Sequence, residues 1–152
     1  MEANPAQETL PPISQAELDE AIKKHIMFDK CKPGGARAHI KFKSLVGLSF
    51  RGANLSGADF TGSDLRNCNL SNGKFHGTIF YGCNMQGSDM SNSDFTRADF
   101  RGADVTGANM KESDLEGADL RQGARVITQT ASGDSVATSN GKTTFKGVGL
   151  EN

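Results

Sequence analysis

The sequence predicts an all-β solenoid, a chain wound into square coils that stack as parallel strands, and three observations carry the prediction. Every fifth residue from Ile40 to Leu120 is apolar, 17 in succession. With 36% hydrophobic residues overall, an unbroken run of that length arises by chance with a probability on the order of 10⁻⁸. Two residues before each large one stands a second column, from Ala38 to Ala118, small at every step except Lys43 and Leu48. A period of five fits neither the 3.6 of a helix nor the 2 of a simple strand. A chain that turns a corner every five residues satisfies all three, because four quintets then close a coil of 20 and coils stack on one another. Large and small side chains pointing inward together fill a narrow tube at native packing density.

Taken in order, residues 1–13, with Pro5, Pro11 and Pro12, read as a disordered leader. Ser14-Gln15-Ala16-Glu17 is a capping box, and Leu18, Ala21, Ile22, His25 and Ile26 recur at helical spacing up to the breaker Lys32-Pro33-Gly34-Gly35. Residues 14–37 are therefore expected to form a short N-terminal capping helix and linker. A solenoid needs such a cover, because its ends expose an apolar cross-section and unpaired strand edges. Residues 38–122 form about four coils, a rod roughly 20 Å long at ~4.8 Å per stacked strand. Asp or Asn usually precedes the large residue and can bond backbone groups near the corner. Gly often follows two residues later, and Asn67, Asn72 and Asn92 stand in for it where the corner needs a positive φ. Beyond Gln122 the repeat stops, since Arg125 falls on the next inward position, where a charge without a partner is not tolerated. Residues 123–152 read as either a C-terminal cap or a flexible tail. Val126-Ile127-Thr128 and Thr143-Thr144-Phe145 are strand-like, and Asn140-Gly141 is a hairpin-turn signal.

Quintets such as Ala53-Asn54-Leu55-Ser56-Gly57 and Ala118-Asp119-Leu120-Arg121-Gln122 closely resemble the pentapeptide repeat family, whose pattern is A(D/N)LXX. The resemblance runs from Ala38 to Gln122, 85 of 152 residues. It implies the right-handed quadrilateral parallel β-helix of that family. Some bacterial members look similar at the cap as well, with a His followed by an aromatic residue, as His25 and Phe28 are here. For His25 a packing role at the helix-to-coil junction is expected in preference to a catalytic base.

The family resemblance also implies two functional classes. Quinolone-resistance members mimic DNA and bind type II topoisomerases, which requires a strongly acidic rod, usually extended by dimerisation. Here 17 basic residues oppose 18 acidic ones, and residues 44–122 carry ten acidic against seven basic side chains, a net charge of −3. DNA bears one charge per ~1.7 Å, so a rod of this length would need roughly a dozen net negative charges to match it. An inhibitor or protector of a type II topoisomerase is therefore the second reading. The first is a non-enzymatic protein-interaction or scaffold module, because flat walls offer area for protein contacts and no desolvated cleft for chemistry.

The near-neutral charge gives no reason to expect nucleic acid or an acidic membrane as partner. No apolar run approaches the ~20 residues that span a bilayer, and the N-terminus is acidic and Pro-containing where a signal peptide is basic and then apolar. A cytoplasmic, bacterial protein is expected. Cys31, Cys68 and Cys83 are odd in number and lack CxxC spacing, so reduced thiols are expected rather than disulfides or zinc. Aspartates spaced by the repeat are spread over four walls, and His39 and His76 fall on different ones. No catalytic residue, cofactor or metal is expected.

One quintet departs from the pattern. Thr78-Ile79-Phe80-Tyr81-Gly82 places Ile79 where Asp or Asn belongs and adds the chain's only tyrosine on the same outward side. Residues 20 apart share a wall, so Thr61, Tyr81, Arg101 and Arg121 form one column, and Asp59, Ile79, Asp99 and Asp119 the next. Ile79, Tyr81, Arg101 and Arg121 are thus the candidate protein-contact patch, with Ile79 and Tyr81 expected to be exposed. The reading weighed against it, and ahead of it, is a cross-strand ladder of pairs that stabilises the wall. The expected partner is another protein, with end-to-end homodimerisation possible in principle.

Overall fold

The structure, a computed structural model, describes residues 9–121, 127–129 and 135–137. From residue 38 to 121 the chain winds as a quadrilateral parallel β-helix. Each side pairs with the sides 20 residues before and after it, so that His39, Asp59, Ile79, Asp99 and Asp119 form one parallel ladder and Asn54, Lys74, Asp94 and Asp114 another. The bonds alternate up and down the stack: Asp59 donates its N–H to Ala38 O (3.0 Å), and Ile40 donates to Asp59 O (2.8 Å). Each side is too short to be more than a bridge, and the wall is built from stacking rather than from strand length.

All 17 fifth-residue side chains are buried. The rings of Phe60, Phe80 and Phe100 stack on one wall at 5.7 and 5.2 Å, nearly parallel, and Phe75 stacks on Phe95 at 5.1 Å on the adjacent wall. The small column lies beside them. Ala58, Thr78 and Ala98 are buried, and a larger residue there would meet the rings already filling the tube. At Gly73 a Cβ would come within 2.3 Å of the Phe75 ring.

Each corner carries its second turn residue at positive φ, as at Gly52 (69°) and Gly77 (64°). Asn67, Asn72 and Asn92 take 55–58° in the same role, as expected, but so do Phe42, Arg97 and Glu112. Most corners close with an N–H to C=O bond three residues back, for example Ala53 N to Phe50 O at 2.9 Å. Three corners without Gly use an inward serine of the next coil. Ser63 accepts from Lys43 N and donates to Ile40 O, Ser88 accepts from Cys68 N and donates to Leu65 O, and Ser93 accepts from Gly73 N and donates to Leu70 O. Buried hydroxyls are thereby satisfied on both sides, which is the condition for tolerating them in a core. Cys68 and Cys83 bond carbonyls in the same way, and burial pushes their thiols up to about 12.

Helix α1 spans Gln15–Asp29 and opens with the expected capping box between Ser14 and Glu17. It covers the edge of the first coil with side chains that imitate a strand. The Gln15 amide donates to Ser49 O and accepts from Ser49 N, both at 2.8 Å. At the other end, His25 accepts at Nδ1 from Ala38 N (3.0 Å) and bonds Ser56 O through Nε2 (2.9 Å). With Nδ1 an acceptor, Nε2 carries the proton. His25 is 1% exposed with both ring nitrogens engaged, so it packs and cannot serve as a base.

Residues 11–13, expected in the disordered leader, are instead paired. Pro12 bridges Ser44 in parallel, with Ile13 N donating to Ser44 O and Ser44 N to Pro11 O. Proline suits this place because only one side of an edge strand needs donors. Residues 1–8 lie outside the described residues. After the coils, β1 (Ile127–Gln129), within the first stretch read as strand-like, pairs antiparallel with β2 (Ser135–Ala137), Thr128 opposite Val136. The expected strand at Thr143–Phe145 and the inward position of Arg125 lie outside the described residues.

Candidate interaction face

Outward side chains come from the residues immediately before and after each inward one. On the wall of Phe60, Phe80 and Phe100 these are Asp59, Ile79 and Asp99 on one side, Thr61, Tyr81 and Arg101 on the other. The aspartates fold back on their own corner. Asp59 Oδ1 accepts from Thr61 N (2.9 Å) and the Thr61 hydroxyl (2.6 Å). Asp99 accepts from Arg101 N (3.0 Å) and binds its guanidinium at 2.9 and 2.7 Å. Asp119 repeats this with Arg121. Such Asx turns satisfy a backbone N–H that would otherwise face solvent.

The structure brings all four candidate residues onto this wall. The Arg101 guanidinium lies over the Tyr81 ring, 5.3 Å from its centroid, within cation–π range. Its Nε also lies 3.9 Å from Asp119, which binds Arg121 at 2.8 Å, so the two arginines share a carboxylate. The hydrogen bond from Arg121 holds the Asp119 carboxyl below its ordinary range, and Asp99 raises the Arg101 guanidinium above its own. Burial opposes ionisation of Asp59, yet the Thr61 bonds, Lys41 and His39 together keep it lowered. Tyr81 is 41% exposed, as expected. Ile79 is half-buried rather than exposed, because its backbone bridges both Asp59 and Asp99 and the rungs above and below shelter its flanks.

His39 sits 4.0 Å from Asp59 on this wall, whereas His76 bonds Thr96 (2.7 Å) on the next. Among the described residues no group of three or more His, Cys, Asp or Glu is placed to hold a metal. The hollow between α1 and the first coil, lined by Gln15, Asp19, Lys23, Phe50 and Arg51, is open to solvent, and Gln15 within it is already bound to Asp19 and Ser49. No described helix is long and apolar enough to cross a membrane. Sequence reasoning missed the carboxylates that Arg66, Arg101 and Arg121 grip; the signal was present as Asp-x-Arg at Asp64, Asp99 and Asp119.

A sequence model described as pentapeptide repeats matches residues 44–82, 74–111 and 83–122. The chain belongs to the pentapeptide repeat family. HetL of the cyanobacterium Nostoc, a pentapeptide repeat protein involved in heterocyst differentiation regulation, is 21% identical over 66% of this chain and 50% of its own, with a TM-score of 0.58. That likeness shows the fold, the right-handed quadrilateral β-helix, and this pentapeptide repeat chain spans half the length of HetL. A second Nostoc pentapeptide repeat protein is 22% identical over 75% of this chain and 80% of its own, with a TM-score of 0.31. QnrB1, a plasmid-mediated fluoroquinolone resistance protein, is 20% identical over 58% and 65%, with a TM-score of 0.19. No curated protein sequence matches the chain.

Proposed function

We propose that the rod is a non-enzymatic protein-interaction module whose contact face is centred on Ile79, Tyr81, Arg101 and Arg121. One observation carries the reading: the Tyr81 ring, stacked under Arg101 at 5.3 Å, stands beside the small polar side chains Asp59, Thr61 and Asp99, with His39 and Lys41 one coil nearer the N-terminal end. Tyr and Arg anchor most interfaces and those small polar residues rarely do. The ion pairs with Asp99 and Asp119 hold both arginines in place before a partner arrives, which lowers the entropic cost of binding. The cytoplasm is the proposed compartment, supported by the free thiols of Cys68 and Cys83 in the core. Helix α1 covers the N-terminal end of the rod, which argues against end-to-end pairing of two copies there.

The test is the double variant Ile79→Asn with Tyr81→Ser, compared with wild type for binding to a partner isolated from the source cell and then purified. Binding is expected to weaken at least tenfold while the melting temperature changes little. Lost stability with intact binding would show that the four residues are a structural ladder. The DNA-mimic reading is tested separately by gyrase supercoiling, where a wall of paired Asp and Arg is expected to give no inhibition at micromolar protein. Clear inhibition would replace the proposal.

A further inference from the structure

The outward position before each inward residue follows one rule from residue 54 to 119. At twelve of its fourteen occurrences an Asp or Asn side chain accepts the N–H two residues on. The two exceptions are consecutive. Lys74 and Ile79 cannot accept, and the N–H groups of His76 and Tyr81 consequently have no acceptor among the described residues. These two donors flank the corner at Gly77, one on each adjoining wall, and in the other quintets the oxygen that meets such a donor lies on the outer surface.

Nothing nearby fills the vacancy. Asp59 is bound to Thr61, Asp94 to Thr96 and Asp99 to Arg101, so each neighbouring carboxylate is turned to its own corner. Lys74 forms no ion pair among the described residues and is exposed. His76 adds a ring whose Nδ1 donates to the Thr96 hydroxyl, since that hydroxyl gives its own proton to Asp94. The strip from Lys74 to Tyr81 therefore offers two outward N–H donors, an ammonium without an ion pair among the described residues, two rings and the Arg101 guanidinium, and lacks the Asp or Asn oxygens that the rest of the rod supplies from within.

We infer that this corner binds an extended acidic segment of a partner protein, whose carboxylates take the places left by the two missing Asp or Asn side chains. The inference rests on the interaction-module reading and names the chemistry of its partner. Carboxylate bonds to backbone N–H are charge-assisted, and Lys74 supplies the complementary charge.

The experiment follows the backbone amides of His76 and Tyr81 by NMR during titration with an acetylated hexaglutamate peptide, a hexaglutamine peptide and an oligothymidylate of equal charge. Saturable shifts of both amides with hexaglutamate are expected, at least tenfold weaker with either other probe. The variant Lys74→Asn with Ile79→Asn restores the two missing acceptors, and it is expected to retain the wild-type melting temperature while losing hexaglutamate binding at least tenfold. Equal response to hexaglutamine or to the oligonucleotide, absence of shifts at these two amides, or undiminished binding by the repaired variant would overturn the inference. If hexaglutamate fails while a purified partner still depends on Tyr81, the interaction face stands and only the acidic chemistry is wrong.

Discussion

A single inward serine shows how much one hydroxyl settles in this rod. Ser88 stands between Cys68 N (3.1 Å) and Leu65 O (2.6 Å), two backbone groups that a glycine corner would have joined directly. Ser88→Ala leaves both buried and unpaired, at a cost of about 1–3 kcal/mol, read as a lower urea midpoint with unchanged slope. A loss no larger than that of an exposed serine would show that the corner re-closes on itself. The outward carboxylates act at a different pH. Asp59 and Asp119 are lowered in the folded state, so the unfolded chain takes up protons first. Their contribution is complete above about pH 4, the unfolded carboxylate value, and is lost as pH falls through the lower folded values. Melting temperature measured from pH 6 to pH 3 should fall less steeply for Asp119→Asn than for wild type; parallel curves would remove Asp119 from the account.

At the scale of elements, three devices close the first coil: the backbone of Pro11–Ile13 on Ser44, the Gln15 amide on Ser49, and the His25 ring on Ala38 and Ser56. Gln15→Ala removes both bonds to Ser49 at once and exposes the Ser49 edge, a change of about 1–2 kcal/mol, with faster hydrogen exchange at the Ser49 amide as the reading. Unaltered exchange there would mean that α1 docks by its apolar residues alone. The capping box and the apolar spacing of α1 were legible because side chains carry those signals. Pro11–Ile13 were not, because they pair through backbone atoms and their prolines favour a coil reading. The serine bridges were legible only as small residues, since size fixes the column while the hydroxyl matters only against a corner one coil earlier. Phe42, Arg97 and Glu112 were invisible as positive-φ residues for a related reason: the stack imposes the corner, and the residue that must occupy it has no preference of its own. Strand β2 was missed because Ser135–Ala137 is too short and too polar at its start to stand out from a Ser- and Thr-rich stretch.

For the whole molecule, stability rests on columns rather than on a single centre. Phe80 contacts Phe60, Phe75, Phe95 and Phe100 at ring separations of 5.2–5.9 Å, so it ties two walls and three coils together. Phe80→Asp forfeits a buried ring and leaves an unpaired inward carboxylate, each worth about 3–5 kcal/mol. That sum is comparable to the entire stability of a domain this size, about 5–15 kcal/mol, and circular dichroism should show the middle coils unfolded at room temperature. Retention of the wild-type melting temperature would contradict the inward register. Nearest-neighbour stacking also predicts that the damage spreads along the rod, because each coil is held by the next.

The pairing of every side with the one 20 residues on has a consequence for how such a rod can change. One added quintet between α1 and Phe60 would keep every inward column filled, yet it would swing Ile79, Tyr81, Arg101 and Arg121 a quarter turn about the axis as seen from the helix. Four added quintets would restore their bearing and lift them one rung, about 4.8 Å. Bearing and height are thus both set by the number of quintets, so insertions in steps of five can re-aim a binding surface while leaving each of its exposed side chains untouched.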